Sequence, residues 1–497
     1  MPLERIGVVV VHGIGEQKRF EHVDGQVRAI VAALQSRRDA TVTVEIKTAG
    51  ASTFQSQHDT WSTGASVRVL IDDRLTSKRV EMNFHEVWWA DVNEPFSFLK
   101  QLRFWAWGLA IWLYPGKAGS TLPGANSVRV PSRPNQTIRG TRLETAWARV
   151  LLFAVAVVAV AGAASIGMFT FLAQRVLNLD PPKFIRIFVN YLAGVKLYNQ
   201  KHRRGAGFFP ARYQDFLDTI NEPPRVSIRR RMIRSIMDAA EERYDRWYVV
   251  AHSLGSVVAF NGLMEAASSW PGYFTEEKWS SLRQTLVGPS RPGWAVPSGA
   301  ILSSPRRPVW AEPSELAYRS HIFSRFHGLL TFGSPLEKFA NIWPARVPIS
   351  REPAFRLGTK WLNIYDPLDP ISGVLRSFGG GIAACCPPPE NIGYSNGPIL
   401  LLTHLQYLRP RKLGLSDGIA EWFVTGNSHL ISASAGPGWY SPDSRHDSTR
   451  WAAAWVSWFG AFLLLLVLGA LVSPITVALL VALYHEIVAL AVRVFTN

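Results

Sequence analysis

The segment Trp247-Tyr248-Val249-Val250-Ala251-His252-Ser253-Leu254-Gly255-Ser256 limits the possible folds more than any other. Its first four residues are apolar and suit a buried strand, while Ser256-Val257-Val258-Ala259-Phe260 suits a helix. Between them the chain must turn sharply, with Ser253 at the apex. In such a turn the positions two before and two after the serine face each other closely. They must be small, and here they are Ala251 and Gly255. The following helix points its N-terminus at the serine, where backbone N–H groups and the helix dipole favour developing negative charge.

A second segment complements the first. Ile6-Gly7-Val8-Val9-Val10-Val11 is a continuous, β-branched apolar run, as expected of a strand buried on both faces of a parallel sheet. The glycine-rich turn His12-Gly13-Ile14-Gly15-Glu16 follows it, at the sheet edge where open α/β folds bind ligands. Acyl transfer needs two backbone N–H donors aimed at a tetrahedral oxyanion. Leu254, directly after the serine, is one candidate; Ile14, between two glycines, is the other. A nucleotide-phosphate loop is not indicated: neither G-x-x-x-x-G-K-[ST] nor G-x-G-x-x-G follows this strand.

Together these segments resemble the α/β-hydrolase superfamily of serine esterases and lipases, especially its membrane-associated, lipase-like branch, which includes GPI-inositol deacylases. Thr331-Phe332-Gly333-Ser334-Pro335-Leu336 is similar to the Gly-Ser/Thr-Pro turn after the next strand in many lipases. The resemblance covers residues 1–95 and about 200–446. Ala251 replaces the first glycine of the family's pentapeptide. The implied architecture is α/β: a doubly wound, mostly parallel sheet built from 1–95 and 200–446. The resemblance does not extend to the rest of the chain, where the apolar runs predict a membrane-associated helical insert (96–199) and a hydrophobic helical tail (447–497), the tail being either a helical hairpin or one span plus an interfacial helix.

The family's chain order is serine, then carboxylate, then histidine. After Ser253 the next strong strand is Trp361-Leu362-Asn363-Ile364-Tyr365, which runs into Asp366-Pro367-Leu368-Asp369-Pro370-Ile371. Both aspartates lie at the carboxyl end of that strand. The resemblance favours Asp369, on the loop, as the triad acid. For the base, Gly418-Ile419-Ala420-Glu421-Trp422-Phe423-Val424 reads as the last strand, and Gly426-Asn427-Ser428-His429 follows it. His429 is therefore the leading candidate, His446 the next and His404 the third. The expected catalytic set is Ser253, Asp369 and His429, with Ile14 and Leu254 as the oxyanion hole. No cofactor is expected. Histidines and cysteines show no zinc-ligand spacing, and H-E-x-x-H is absent.

Two further stretches point to a bilayer. Val150–Ala173 contains no charged residue and lies between Arg149 and Arg175. As a helix it would extend roughly 36 Å, enough for a hydrocarbon core of about 30 Å. Trp451–Ser473 is also uncharged; Pro474 interrupts it before a second apolar run. The low share of charged residues, 18%, fits a membrane protein with a substantial soluble part. Because the segments flanking the insert must share one sheet, the insert crosses an even number of times or not at all. Phe96–Tyr114 is the best partner for Val150–Ala173; the alternative is that it lies in the interface as an amphipathic helix, with Val150–Ala173 re-entering or pairing with the region around Phe184–Leu197.

The net charge of +16 is dispersed and does not read as nucleic-acid binding. Of its clusters, Lys201-His202-Arg203-Arg204 and Arg229-Arg230-Arg231 lie near the insert and suit either anionic lipid or a solvated helix face. The only cysteines, Cys385-Cys386, are adjacent and cannot brace the fold, which favours a reducing compartment. No signal peptide is expected, because the sequence reads straight into a core strand. The expectation is a membrane-bound enzyme whose hydrolase part is cytoplasmic, acting on lipid or acyl esters. The alternatives are a thioesterase or amidase with the same triad, or a catalytically silent scaffold.

Overall fold

The computed structural model describes residues 3–13, 20–37, 40–47, 66–73, 78–92, 136–137, 194–195, 197–199, 223–283 and 287–289. It also describes 305–378 except 306–307, 313–314, 344–345, 350–353 and 356–357, then 387–397, 403–407, 414–457, 459–460 and 463. Nine strands form one mixed sheet: β1 (Leu3–Val11), β2 (Ala40–Lys47), β3 (Ser66–Asp73), β4 (Lys78–Val87), β5 (Arg246–His252), β6 (Phe326–Phe332), β7 (Lys360–Tyr365), β8 (Glu390–Tyr394) and β9 (Trp439–Tyr440). Their order is β9-β8-β7-β6-β5-β1-β4-β3-β2. From β8 to β4 all neighbours are parallel. The pairs β2–β3, β3–β4 and β8–β9 are antiparallel.

The valine run explains the centre of this sheet. Alternate residues of a strand face opposite sides. Val9 and Val11 enter one apolar core, while Ile6, Val8 and Val10 enter the other. Both faces are therefore covered. Helix α1 (Glu21–Arg37) sends Val23, Val27, Ile30 and Leu34, at helical spacing, into the second core. Helices α2 (Pro224–Glu241), α3 (Gly255–Leu263) and α4 (Leu336–Ile342) cover the first. Each fully buried valine contributes about 1.5–3 kcal/mol by leaving water.

Strands β4 and β5 lie on opposite sides of β1, so the winding reverses there. The register Val11↔Ala251 puts the ends of β1 and β5 side by side. Ligands bind at such switch points in open α/β sheets. The His12-Gly13 turn and Ser253 both lie at this one.

Two expectations are corrected. Gly418–Val424 is not the last strand but part of helix α5 (Leu415–Thr425). Its buried Leu415, Ile419, Trp422 and Phe423 recur every three or four residues and join the second core. The Asp417 carboxylate accepts the Gly414 N–H at 2.8 Å, which fixes the helix start. Gly426 N–H donates to Trp422 O at 2.8 Å, which closes its end. The last parallel strand is instead β8. Second, Arg229-Arg230-Arg231 is buried on α2 and faces neither lipid nor solvent. Arg229 pairs with Glu265 at 2.7 Å, and Arg231 Nη1 donates to Trp88 O at 2.9 Å. Buried guanidinium groups persist only with such partners.

Among the described residues no helix is long and apolar enough to cross a membrane. Phe96–Tyr114, Val150–Ala173, Lys201–Arg204, Cys385-Cys386 and 464–497 lie outside the described residues, as does Ile14.

Candidate active site

Ser253 occupies the turn between β5 and α3 with φ +54°, a left-handed conformation unusual for a non-glycine residue. Several contacts hold it there. Ser253 N–H donates to Phe332 O at 3.1 Å, and Ser256 Oγ donates to Ser253 O at 2.5 Å. Ser334 Oγ lies 2.8 Å from Ser256 Oγ, so the 331–336 turn braces the serine turn. Close packing explains the glycines on either side. A Cβ on Gly255 would lie 2.5 Å from His12 O, and one on Gly13 would lie 2.7 Å from Ser253 Cβ. The β1 turn thus passes directly over the serine.

Asp369 follows β7 and is buried. Its Oδ1 accepts the Ile371 N–H at 2.8 Å. Burial, the largest single effect, pushes its carboxyl up, but its neighbours together outweigh that penalty, the His404 imidazole foremost among them. Hydrogen bonds from His404 and Ile371 and the Lys338 ammonium act the same way, and the carboxyl ends below its ordinary value. Lys338 Nζ donates to Pro370 O at 2.6 Å and Ser372 O at 3.0 Å, tying down the loop. Burial brings this ammonium down to about 8, against the pull of Asp369.

The histidine that meets both residues is His404. Its Nδ1 lies 2.8 Å from Asp369 Oδ2, and its Nε2 lies 2.9 Å from Ser253 Oγ. An ionised carboxylate only accepts, so Nδ1 carries the proton and Nε2 presents its lone pair to the serine hydroxyl. Tyr407, one turn further along the loop, donates its O–H to the same Asp369 oxygen at 3.1 Å.

Rings pack behind this cluster. His252 stacks on His404 with centroids 4.8 Å apart, and its Nε2–H donates to His404 O at 3.1 Å. His22 also stacks on His252, with centroids 5.8 Å apart. His12 lies flat on Trp89, 5.1 Å away. Its Nε2 accepts the Trp89 N–H at 3.0 Å, so its Nδ1–H points to Gly13 O, 2.6 Å away. Burial lowers His12 to about 3, helped by His22 and Arg231, and lowers His22 to about 4. Burial, with His404 and His22 nearby, holds His252 well below the ordinary imidazole value. These three rings are neutral packing and positioning groups near pH 7.

The structure therefore brings Ser253 and Asp369 to one point and leaves His429 outside it. His429 is exposed, and its backbone N–H donates to Asn427 Oδ1 at 3.1 Å. The reason is that 418–424 is helical, and the loop after α5 leaves from the covering helix layer, not from the sheet edge. His446 is also exposed and lies 2.8 Å from Ser395 Oγ. Asp366, the alternative acid, is buried and held by Arg450 and backbone N–H groups. Leu254 is buried at the head of α3, directly after Ser253. Tyr407 carried no distinguishing sequence signal. His404 is the first histidine after β8, a position recognisable only once Glu390–Tyr394 is known to be the last parallel strand. Among the described residues no group of three or more His, Cys, Asp or Glu side chains is placed to hold a metal ion.

Comparison with family models, curated proteins and solved structures returned no match to this chain.

Proposed function

We propose that this chain is a serine hydrolase of α/β-hydrolase type, cleaving carboxylic esters through Ser253, His404 and Asp369. The observation that carries the reading is the continuous chain Ser253 Oγ–His404 Nε2, 2.9 Å, and His404 Nδ1–Asp369 Oδ2, 2.8 Å, around a serine at positive φ. In this mechanism Ser253 Oγ attacks the ester carbonyl while its proton passes to His404 Nε2. The carbonyl π electrons move to oxygen, and the Leu254 and Ile14 N–H groups stabilise the oxyanion. The oxyanion then collapses, the ester C–O bond breaks, and His404 protonates the departing alcohol. Water, deprotonated by His404, attacks the acyl-enzyme; collapse returns the proton to Ser253 and releases the acid. Asp369 stays ionised throughout, fixing the imidazole tautomer and stabilising the imidazolium.

Supporting a role for Ile14 is the contact between the β1 turn and Ser253 at Gly13. Lipid esters are the proposed substrate class, on the strength of the uncharged Val150–Ala173 and Trp451–Ser473 runs. Strands β1 and β5, which flank the insert, pair in register, which requires the insert to begin and end on one side of a membrane. That side is the cytoplasmic one in this reading, and no cofactor, metal or nucleic acid takes part.

The test is hydrolysis of a short-chain p-nitrophenyl ester series and of vesicle-borne lipid esters by the purified chain and Ser253→Ala. The reading requires ester turnover that the variant loses. A thioester- or amide-selective enzyme would turn over those substrates in preference, and a silent scaffold would turn over none.

A further inference from the structure

The helix over 445–457, α6, continues helically at 459–460 and 463 and has two unlike faces. Inward, Asp447 and Ala454 are buried and Arg450 is half-buried. Asp447 Oδ1 accepts the Tyr365 O–H at 2.8 Å. Arg450 grips Asp366 with two bonds, Nε to Oδ1 at 2.8 Å and Nη2 to Oδ2 at 2.5 Å, and also donates to Gly397 O at 2.9 Å. Asp366 in turn sets the acid loop: its carbonyl accepts the Asp369 N–H at 2.8 Å, and its Oδ1 accepts the Leu368 N–H at 3.0 Å. A bidentate guanidinium–carboxylate pair fixes orientation as well as distance.

Outward, the same helix exposes Trp451 (38%), Trp455 (59%), Val456 (73%), Phe459 (63%) and Leu463 (45%). Single exposed apolar residues are ordinary, but a contiguous stripe of them marks a contact surface. The sequence names the occupant. Arg450 is the last Asp, Glu, Lys or Arg before Glu486, so the stripe opens a long uncharged run. Tryptophans at the start of such a run, behind an arginine, match the boundary between headgroups and acyl chains. A surface for a second copy of the chain would not require that run to continue.

We propose that the Trp451–Leu463 face of α6 seats the protein in a lipid bilayer, and that the Arg450–Asp366 pair ties the Asp369 loop rigidly to that seat. The first part concerns where the domain meets lipid; its catalytic meaning rests on the hydrolase reading above. The consequence is a serine held at fixed height over the leaflet that carries its substrate.

The experiment uses the full chain with both cysteines replaced by serine, reconstituted in phosphatidylcholine–phosphatidylglycerol vesicles. A fluorophore is attached through Trp455→Cys, Phe459→Cys or, on the exposed first turns, Thr449→Cys. Lipid-borne nitroxide should quench the first two strongly and aqueous iodide weakly, with the opposite order at Thr449→Cys. Iodide access at the first two positions overturns the bilayer seat. So does lipid-independent shielding accompanied by concentration-dependent cross-linking between copies. The tie is read by hydrogen exchange. Arg450→Ala should speed exchange of the 366–372 amides at least tenfold while the β5–α3 peptide is unchanged, and Arg450→Lys should fall between. Unchanged 366–372 exchange overturns the tie; general loss of protection in the alanine variant leaves the lysine variant to decide. None of these signals uses ester turnover, so a failed hydrolase reading leaves them intact.

Discussion

Tyr407 and His404, three residues apart, converge on one oxygen: the tyrosine O–H and the imidazole Nδ1–H both donate to Asp369 Oδ2, at 3.1 and 2.8 Å. Tyr407 also accepts the Asp366 N–H at 3.1 Å, so it staples the histidine loop to the acid loop. Its hydroxyl meets Asp369, Asp366 and Ser372, so in the proposed hydrolase its role would be positioning. Removing the hydroxyl leaves Asp369 with one donor fewer. Tyr407→Phe should lower kcat about tenfold with KM nearly unchanged, in line with about 1.5–3 kcal/mol for a hydrogen bond to a charged group. Steady-state kinetics on a soluble ester checks this. A rise in KM at constant kcat would place the tyrosine in substrate binding.

The two aspartates after β7 should separate by phenotype. Asp369→Asn presents the wrong partner to His404 and should lower kcat by ~10⁴ with little change in Tm. Asp366→Asn strands the Arg450 guanidinium and should cost stability of about 3–5 kcal/mol. Urea denaturation and kinetics on both variants distinguish them. A catalytic collapse at Asp366 with unchanged stability would reverse the assignment.

The histidines behind the site set an acid limit on stability. His12, at about 3, His22, at about 4, and His252 are all depressed in the folded protein, chiefly by burial. Above the unfolded imidazole value of about 6.5 neither state binds the proton, so this part of stability is fully present. Below it the unfolded chain takes up protons that the folded one refuses. Stability therefore falls as pH drops from 6.5 toward 4, by up to about 1.4 kcal/mol per pH unit for each histidine. Chemical denaturation at pH 7, 6 and 5 should show the decline, and His22→Gln should reduce its slope. A flat profile would mean that these rings protonate inside the fold.

The sheet centre was legible because β1, β5 and β7 are dense apolar runs that end in a glycine-rich turn, a serine turn and an aspartate loop. Such residues mark both a buried strand and the candidate site at its end. The histidine that meets Ser253 was not legible. Its strand, Glu390-Asn391-Ile392-Gly393-Tyr394, carries two polar residues and a glycine, and at the sheet's far side it is short. Helix α5 competed for that role because Ile419, Trp422, Phe423 and Val424 are β-branched or aromatic, types that favour strands in isolation. Tertiary packing on the second core decided for a helix. The arginines of α2 misled in the opposite direction: charge suggested a surface, whereas Glu265 and the Trp88 carbonyl supply partners inside.

The choice between His404 and His429 is open to a direct comparison. His404→Ala should reduce ester turnover as far as Ser253→Ala does, by ~10⁴ or more, because triad members act as a unit. His429→Ala should stay within about twofold, as exposed loop substitutions usually do. Parallel loss in His429→Ala would require a different arrangement of the loop after α5.

The most direct measurement of the whole account is intact-mass and peptide mass spectrometry after treatment with a fluorophosphonate. The account predicts a single stoichiometric adduct on Ser253, absent in Ser253→Ala, strongly slowed in His404→Ala and undiminished in His429→Ala. No adduct on the folded wild-type chain, or an adduct on another serine, would contradict it.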